Sequence, residues 1–251
     1  MSPTHLATLS PTLSMKLIFR LLAYLIGYPL FHTVMKVKVV GRENLLPKGE
    51  PLILICNHFS WFEAPLLIGR LPYKIVILGS AEVWEHPVGK WLAWAFEGIP
   101  IHRGQVDREP LKRALAVLAE GGVLGIFPEG GIDPALRPLT DAGINVVGVP
   151  GQTARIPGAL IQAKPGAAYL AVKSGARVLP TAVTGAEYVW QNLRRGRRTP
   201  VTLHIGAPFG PLTIDPHLKN ADKRAAIDAC GDEMMRHIAA LLPPDQRGYY
   251  A

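Results

Sequence analysis

Apolar and polar positions along this chain switch between two periods, and each switch marks an element. Residues 52–56 form an unbroken apolar run between Pro51 and the polar pair Asn57 and His58. A run this short without a polar break reads as a strand buried on both faces, whose end delivers a histidine to a loop. Val37 and Val39 alternate with Lys38 up to Gly41, which predicts an earlier strand over 37–40. Further strands are expected at 74–78, within 97–104, and at 123–127, 177–183 and 201–206. Helical spacing is expected over 64–71, 88–96, 109–120, from 164 to 173, and over 221–242, with Gly121 and Gly122 as a stop signal. Strands alternating with helices predict an α/β fold with a mixed, largely parallel sheet flanked by helices, and a site at loops beyond the strand ends. Residues 132–163 show no clear period and read as a long surface loop or lid.

The first 36 residues follow other rules. Residues 1–14 are rich in Ser, Thr and Pro and are expected to be disordered, with Met15 an alternative start. In residues 15–36 the uninterrupted apolar stretch after Arg20 is shorter than the ~20 residues needed to span a bilayer. No small-residue cleavage site follows, so a removable signal is disfavoured. The segment reads as an interfacial, membrane-associating helix, with Lys16 and Arg20 toward lipid phosphates and the apolar side chains toward the acyl boundary. The alternative is a helix packed on the remaining domain, residues 37–251. Trp84, Trp91 and Trp94 are expected in the core rather than as membrane anchors.

Composition narrows the partners. Hydrophobic residues make up 49% and charged residues only 18%, and mean hydropathy is positive at +0.19, which fits contact with lipid. Lysine and arginine total 27 against 19 acids, a net +8, which favours phosphorylated ligands, acidic membrane or nucleic acid. The basic cluster 194–198 lacks any nucleic-acid module around it and reads as a solvated hairpin or phospholipid-facing loop, so nucleic acid is not expected. Cys56 and Cys230 make no disulfide framework and fit a reducing compartment. Neither zinc-ligand spacing nor a phosphate-binding Gly-Lys-Ser/Thr loop is present, so no metal or cofactor is expected.

The candidate chemistry sits at His58 and Glu63. On one continuous helix, five residues at about 100° each would leave the two side chains roughly 140° apart. If the helix begins only near Glu63, with Pro65 in its first turn, the loop before it folds His58 back toward the carboxylate. That pair is a base with an orienter: one imidazole nitrogen bonds the carboxylate and the other is free to accept a substrate proton. A second reading stands beside it, because Ser60 and Glu63 also fit a Ser-x-x-Glu capping box.

Four blocks occur in order: Asn57-His58 with Glu63 five residues after the histidine; Gly98-Ile99-Pro100-Ile101-His102-Arg103; Phe127-Pro128-Glu129-Gly130; and Val178-Leu179-Pro180-Thr181-Ala182. Together they resemble the glycerolipid acyltransferase family, in its lysophosphatidic acid acyltransferase (PlsC-like) branch, over about residues 35–215. The resemblance implies transfer of a fatty acyl group from acyl-CoA or acyl carrier protein to a lysoglycerolipid hydroxyl, 1-acylglycerol-3-phosphate first among acceptors, at the cytoplasmic face of the cell membrane as a peripheral or monotopic protein. It further implies His58 as general base and Glu63 as its orienter. Asn57, Arg103, Glu129, Gly130, Gly131 and Lys164 are the implied substrate-binding residues, Arg103 pairing with an acceptor phosphate. This chain departs from the pattern twice. Glu63 stands where the family usually has Asp, and Gly131-Ile132 stand where it has Thr-Arg, so its usual phosphate-binding arginine is missing. Arg137, Arg155 or Lys164 are the candidate replacements. The alternatives are a non-phosphomonoester acceptor or a catalytically silent lipid-binding protein.

Overall fold

The computed structural model describes residues 11–85, 87–102, 108–130 and 158–251. Among these, seven strands form one sheet: β1 (Met35–Val40), β2 (Leu52–Cys56), β3 (Ile75–Ser80), β4 (Ile99–Ile101), β5 (Val123–Ile126), β6 (Arg177–Thr184) and β7 (Thr199–Ile205). Their order is β1-β7-β6-β2-β5-β3-β4, and every neighbouring pair is parallel except β6 with β7. The expected α/β sheet is therefore present. The unbroken apolar run occupies its middle position.

Both faces of β2 are covered, which is why that run carries no polar residue. Ile53 and Ile55 pack toward Ala114 and Leu118 of α4 (Arg108–Ala119), Ala168 and Leu170 of α5 (Pro165–Ser174), and Met234 and Ile238 of α7 (Asn220–Ala239). Leu52, Leu54 and Cys56 pack into a second cluster with Leu66 and Leu67 of α2 (Glu63–Arg70) and Val189 of α6 (Val189–Arg194). The short α6, with no clear period of its own, was not expected.

The N-terminus differs from the sequence expectation in three ways. Residues 1–10 lie outside the described residues, but residues 11–14, expected to be disordered, belong to a continuous helix α1 (Pro11–Val34). That helix has a 20-residue apolar stretch, Met15–Val34, long enough by length and composition to cross a membrane. Its cations also face the other way. Lys16, Arg20 and Lys74 converge on Glu97 at 3.2, 3.0 and 2.6 Å, so Lys16 and Arg20 turn toward the domain. Phe19 packs edge-on against Trp91 and Trp94 of α3 (Pro87–Ala95), each at 5.6 Å. A carboxylate with three cations within reach outcompetes water for them, and the helix rotates accordingly. Glu97 closes α3 in the left-handed region at φ 57, where glycine is usual.

Candidate active site

The site is assembled at the carboxyl ends of β2, β5 and β6, three adjacent strands in the centre of the sheet. In an open α/β sheet this edge is where chain leaving each strand can diverge and leave a crevice. β2 contributes Asn57 and His58, β5 contributes Phe127 and Glu129, and β6 contributes the backbone of Val183.

Asn57 is completely buried, and both ends of its amide are engaged. Its Nδ2 donates to the Val183 carbonyl at 2.9 Å and its Oδ1 accepts the Val183 N–H at 2.7 Å. It extends the β2–β6 ladder by one side chain and thereby fixes the strand end. With the strand end fixed, His58 leaves the sheet in one direction only.

Glu63, the first residue of α2, is also completely buried. Its Oε2 lies 3.3 Å from His58 Nδ1 and accepts the Ser60 N–H at 2.9 Å, while its Oε1 accepts the Ser60 hydroxyl at 2.8 Å. α2 starts at Glu63 with Phe62 rather than Ser60 as its N-cap, so the full capping box does not form, yet Glu63 keeps half of it. It reaches back to the Ser60 N–H as a capping glutamate does, and from that fixed position it also meets the imidazole. A buried carboxylate needs such donors to offset its lost hydration. Its bond to Nδ1 selects the tautomer with the proton on Nδ1 and leaves Nε2 as the acceptor.

Two further contacts hold His58. Its backbone N–H donates to Glu129 Oε1 at 2.8 Å, and its ring stacks on Phe127 with centroids 4.2 Å apart and planes 20° from parallel. Glu129 is 1% exposed, and its other oxygen accepts the Ile161 N–H at 3.2 Å. Its carboxylate therefore ties the backbone of the histidine to segment 158–164. Gly130 turns the chain at φ 72, and a Cβ there would lie 2.9 Å from Lys164 Cγ. Exposed Lys164 thus passes directly over that glycine, beside the site, with its N–H on the Pro128 carbonyl at 2.8 Å. Arg103, Gly131, Arg137 and Arg155 lie outside the described residues, as does the expected lid over 132–163 except for its last six residues, 158–163.

Sequence reasoning did not reach the C-terminal strap. The Leu160 N–H donates to the Gln246 carbonyl at 3.0 Å, the Tyr249 N–H returns to the Leu160 carbonyl at 3.0 Å, and Tyr250 Oη accepts the Ala163 N–H at 3.0 Å. Gln246 also donates to buried Glu187, just past β6, at 2.8 Å. Burial pushes the Glu187 carboxyl above its usual range, and the nearby Glu63 charge adds to this. The only trace of the strap in the sequence is Gly248-Tyr249-Tyr250 at the chain end, too short to show a period.

The acyltransferase family model matches residues 36–184, which contain the whole β2–β5–β6 site. The chain belongs to the acyltransferase family. It falls in the PlsC-like glycerolipid branch and is an O-acyltransferase. It is 30% identical over 212 residues to a Bacillus subtilis protein named 1-acyl-sn-glycerol-3-phosphate acyltransferase, covering 82% of this chain and 89% of the relative. Over 82 residues it is 38% identical to a Pseudomonas aeruginosa lyso-ornithine lipid O-acyltransferase, covering 32% of this chain and 31% of that one. The fold is shared with the crystal structure of PlsC from Thermotoga maritima, at 22% identity and a TM-score of 0.55, over 85% of this chain and 76% of that one.

Proposed function

We propose that this acyltransferase moves a fatty acyl group from acyl-CoA or acyl carrier protein to the free hydroxyl of a lysoglycerolipid, with 1-acylglycerol-3-phosphate as the first candidate acceptor. The observation that carries this is the His58 Nδ1 to Glu63 Oε2 contact at 3.3 Å. With Nδ1 committed, Nε2 takes the acceptor's hydroxyl proton as its oxygen attacks the thioester carbonyl. The new C–O bond forms, the C–S bond breaks, and the imidazolium returns its proton to the leaving thiolate. Glu63 stabilises the imidazolium in between, and no acyl-enzyme is needed.

Lys164 is our candidate for the acceptor phosphate, because it is an exposed cation over Gly130, next to where the family's usual arginine is missing. A lysine binds phosphate as a point charge, without the bidentate grip of arginine. A non-phosphomonoester acceptor is the second reading, favoured by Gly131-Ile132 and by the local similarity to the lyso-ornithine lipid enzyme.

The proposed location is the cytoplasmic face of the membrane, held by α1. Leu17, Ile18, Leu21, Leu25 and Ile26 are 50–74% exposed on the side turned away from the Glu97 cluster. An apolar stripe of this size is unfavourable in water and matches the acyl boundary of a leaflet. Ring contacts at both ends, Phe19 with Trp91 and Phe31 with Phe62, fasten α1 lengthwise on the domain and support lying on the membrane over crossing it.

The test is thiol release by the purified protein from acyl-CoA and from acyl carrier protein donors, with lysophosphatidate, monoacylglycerol and lyso-ornithine lipid as acceptors. His58→Ala serves as the control. Release with lysophosphatidate that falls on Lys164→Ala supports the first reading; release with another acceptor alone moves the substrate. A His58→Ala protein turning over like the parent sinks the mechanism, and no release with any pair leaves a silent lipid-binding protein.

A further inference from the structure

The catalytic loop itself reaches the surface. Between completely buried Ser60 and Glu63, Trp61 stands 48% exposed. The adjacent Phe62 turns inward, its ring centroid 6.3 Å from that of Phe31 of α1 and 5.6 Å from that of Trp190 of α6. Trp190 is itself 43% exposed and Leu193, one turn further, 45%. Exposed Arg194, Arg195 and Arg197 follow, with no acidic residue anywhere in 188–198. Large apolar side chains bordered by exposed guanidinium groups match one environment. Indole rings settle at the headgroup level of a bilayer, and the arginines meet lipid phosphates.

We infer that Trp61, Trp190 and Leu193, edged by Arg194, Arg195 and Arg197, form a second membrane-contact surface that sets the His58–Glu63 loop into the headgroup layer of an anionic bilayer. The inference rests on the lipid-acylation reading above and adds a separate task to that of α1. The helix keeps the protein at the membrane. This surface brings the exposed part of the His58 ring to the lipid, so that an acceptor hydroxyl reaches Nε2 while its acyl chain stays out of water. Because Trp61 lies between the residues that hold the base, its seating in lipid and the placement of His58 are mechanically linked.

The experiment measures partition of the full chain onto vesicles of phosphatidylcholine with and without phosphatidylglycerol, by co-sedimentation. Trp61→Ser and, on a different element, Trp190→Ser with Leu193→Ser should each weaken partition about tenfold, from the apolar area withdrawn from lipid. Arg194→Gln with Arg195→Gln should weaken it about 25-fold, at roughly fivefold per charge, and only on the anionic vesicles. Brominated lipid should quench Trp61 together with Trp190, so Trp61→Phe should keep partition while losing Trp61's share of that quenching. The ratio of turnover on vesicle-borne to detergent-dispersed lysolipid should fall for Trp61→Ser and recover for Trp61→Phe. Unchanged partition in both the Trp61→Ser and the α6 variants overturns the proposal and leaves the surface to a protein partner. The detergent-dispersed assay judges the chemistry separately: without His58-dependent transfer there, the functional reading fails whatever the vesicles show.

Discussion

Replacing Glu63 by Gln isolates what its charge contributes. The amide carbonyl can keep the Oε2 position, accepting from the Ser60 N–H and from His58 Nδ1, while the NH2 group faces the Ser60 hydroxyl, which rotates to accept. Shape and tautomer survive, and the negative charge beside the imidazolium does not. At 3.3 Å, two unit charges attract by about 5 kcal/mol at an effective permittivity near 20 and about 1.3 kcal/mol at that of water. Glu63 is fully buried while the His58 side chain is 18% exposed, so we take an intermediate value of about 3 kcal/mol. That corresponds to a fall in kcat of roughly 150-fold. The imidazolium exists only once the hydroxyl proton has moved, so KM should hold steady. The assay is steady-state thiol release from acyl-CoA with a saturating acceptor. Because Glu63 acts through His58, the double variant His58→Ala, Glu63→Gln should be no slower than His58→Ala alone. Two effects that multiply in the double variant, or a Glu63→Gln protein within twofold of the parent, would refute the orienting role.

Asn57→Ala strips both partners from Val183 at a completely buried strand end, which should cost about 2–4 kcal/mol and lower Tm by roughly 6–12 °C in a thermal melt; an unchanged melt would mean the ladder extension carries no load. Gly248→Ala places a Cβ 2.2 Å from the Leu160 carbonyl at φ 51. It should expose segment 158–163 to protease and lower kcat by loosening Glu129, and protection equal to that of the parent would count against the strap. The Glu97 carboxyl is raised by its burial, but hydrogen bonds from Lys74 and Lys16 and the Arg20 charge outweigh this and hold it at about 2, against an ordinary 4.5. Its depressed pKa makes its stabilisation complete above about 4.5 and lost as pH falls toward 2. Glu97→Gln should therefore narrow the stability gap between pH 7 and pH 2, read from denaturant midpoints, and an identical gap would reject the ion cluster as the anchor of α1.

Much of the fold was legible because its signals are local. The apolar run at 52–56, the glycine stop at 121–122 and the strand over 177–183 each depend on near neighbours, and each element appears within a residue or two of its expected place. The His58–Glu63 pairing was legible for the same reason, since five residues around one turn leave few geometries. What misled was a matter of orientation. Lys16 and Arg20 were read toward lipid because a cation on an apolar helix usually seeks phosphate, yet Glu97, more than 75 residues away, claims both.

The sequence by itself therefore determined the alternation of strand and helix, the buried middle strand, and a histidine with a carboxylate at its end. Only the tertiary structure decided that Asn57 is bonded to Val183 and that Glu129 joins the His58 N–H to Ile161. Their partners, Val183 and Ile161, come from β6 and from the segment ahead of α5, and no spacing in one dimension reveals which backbone groups a fold will leave in need of a donor or an acceptor. It also decided which face of α1 looks outward and which tryptophans stand free. Exposure is a property of what packs nearby, and packing is written by residues distant in the chain.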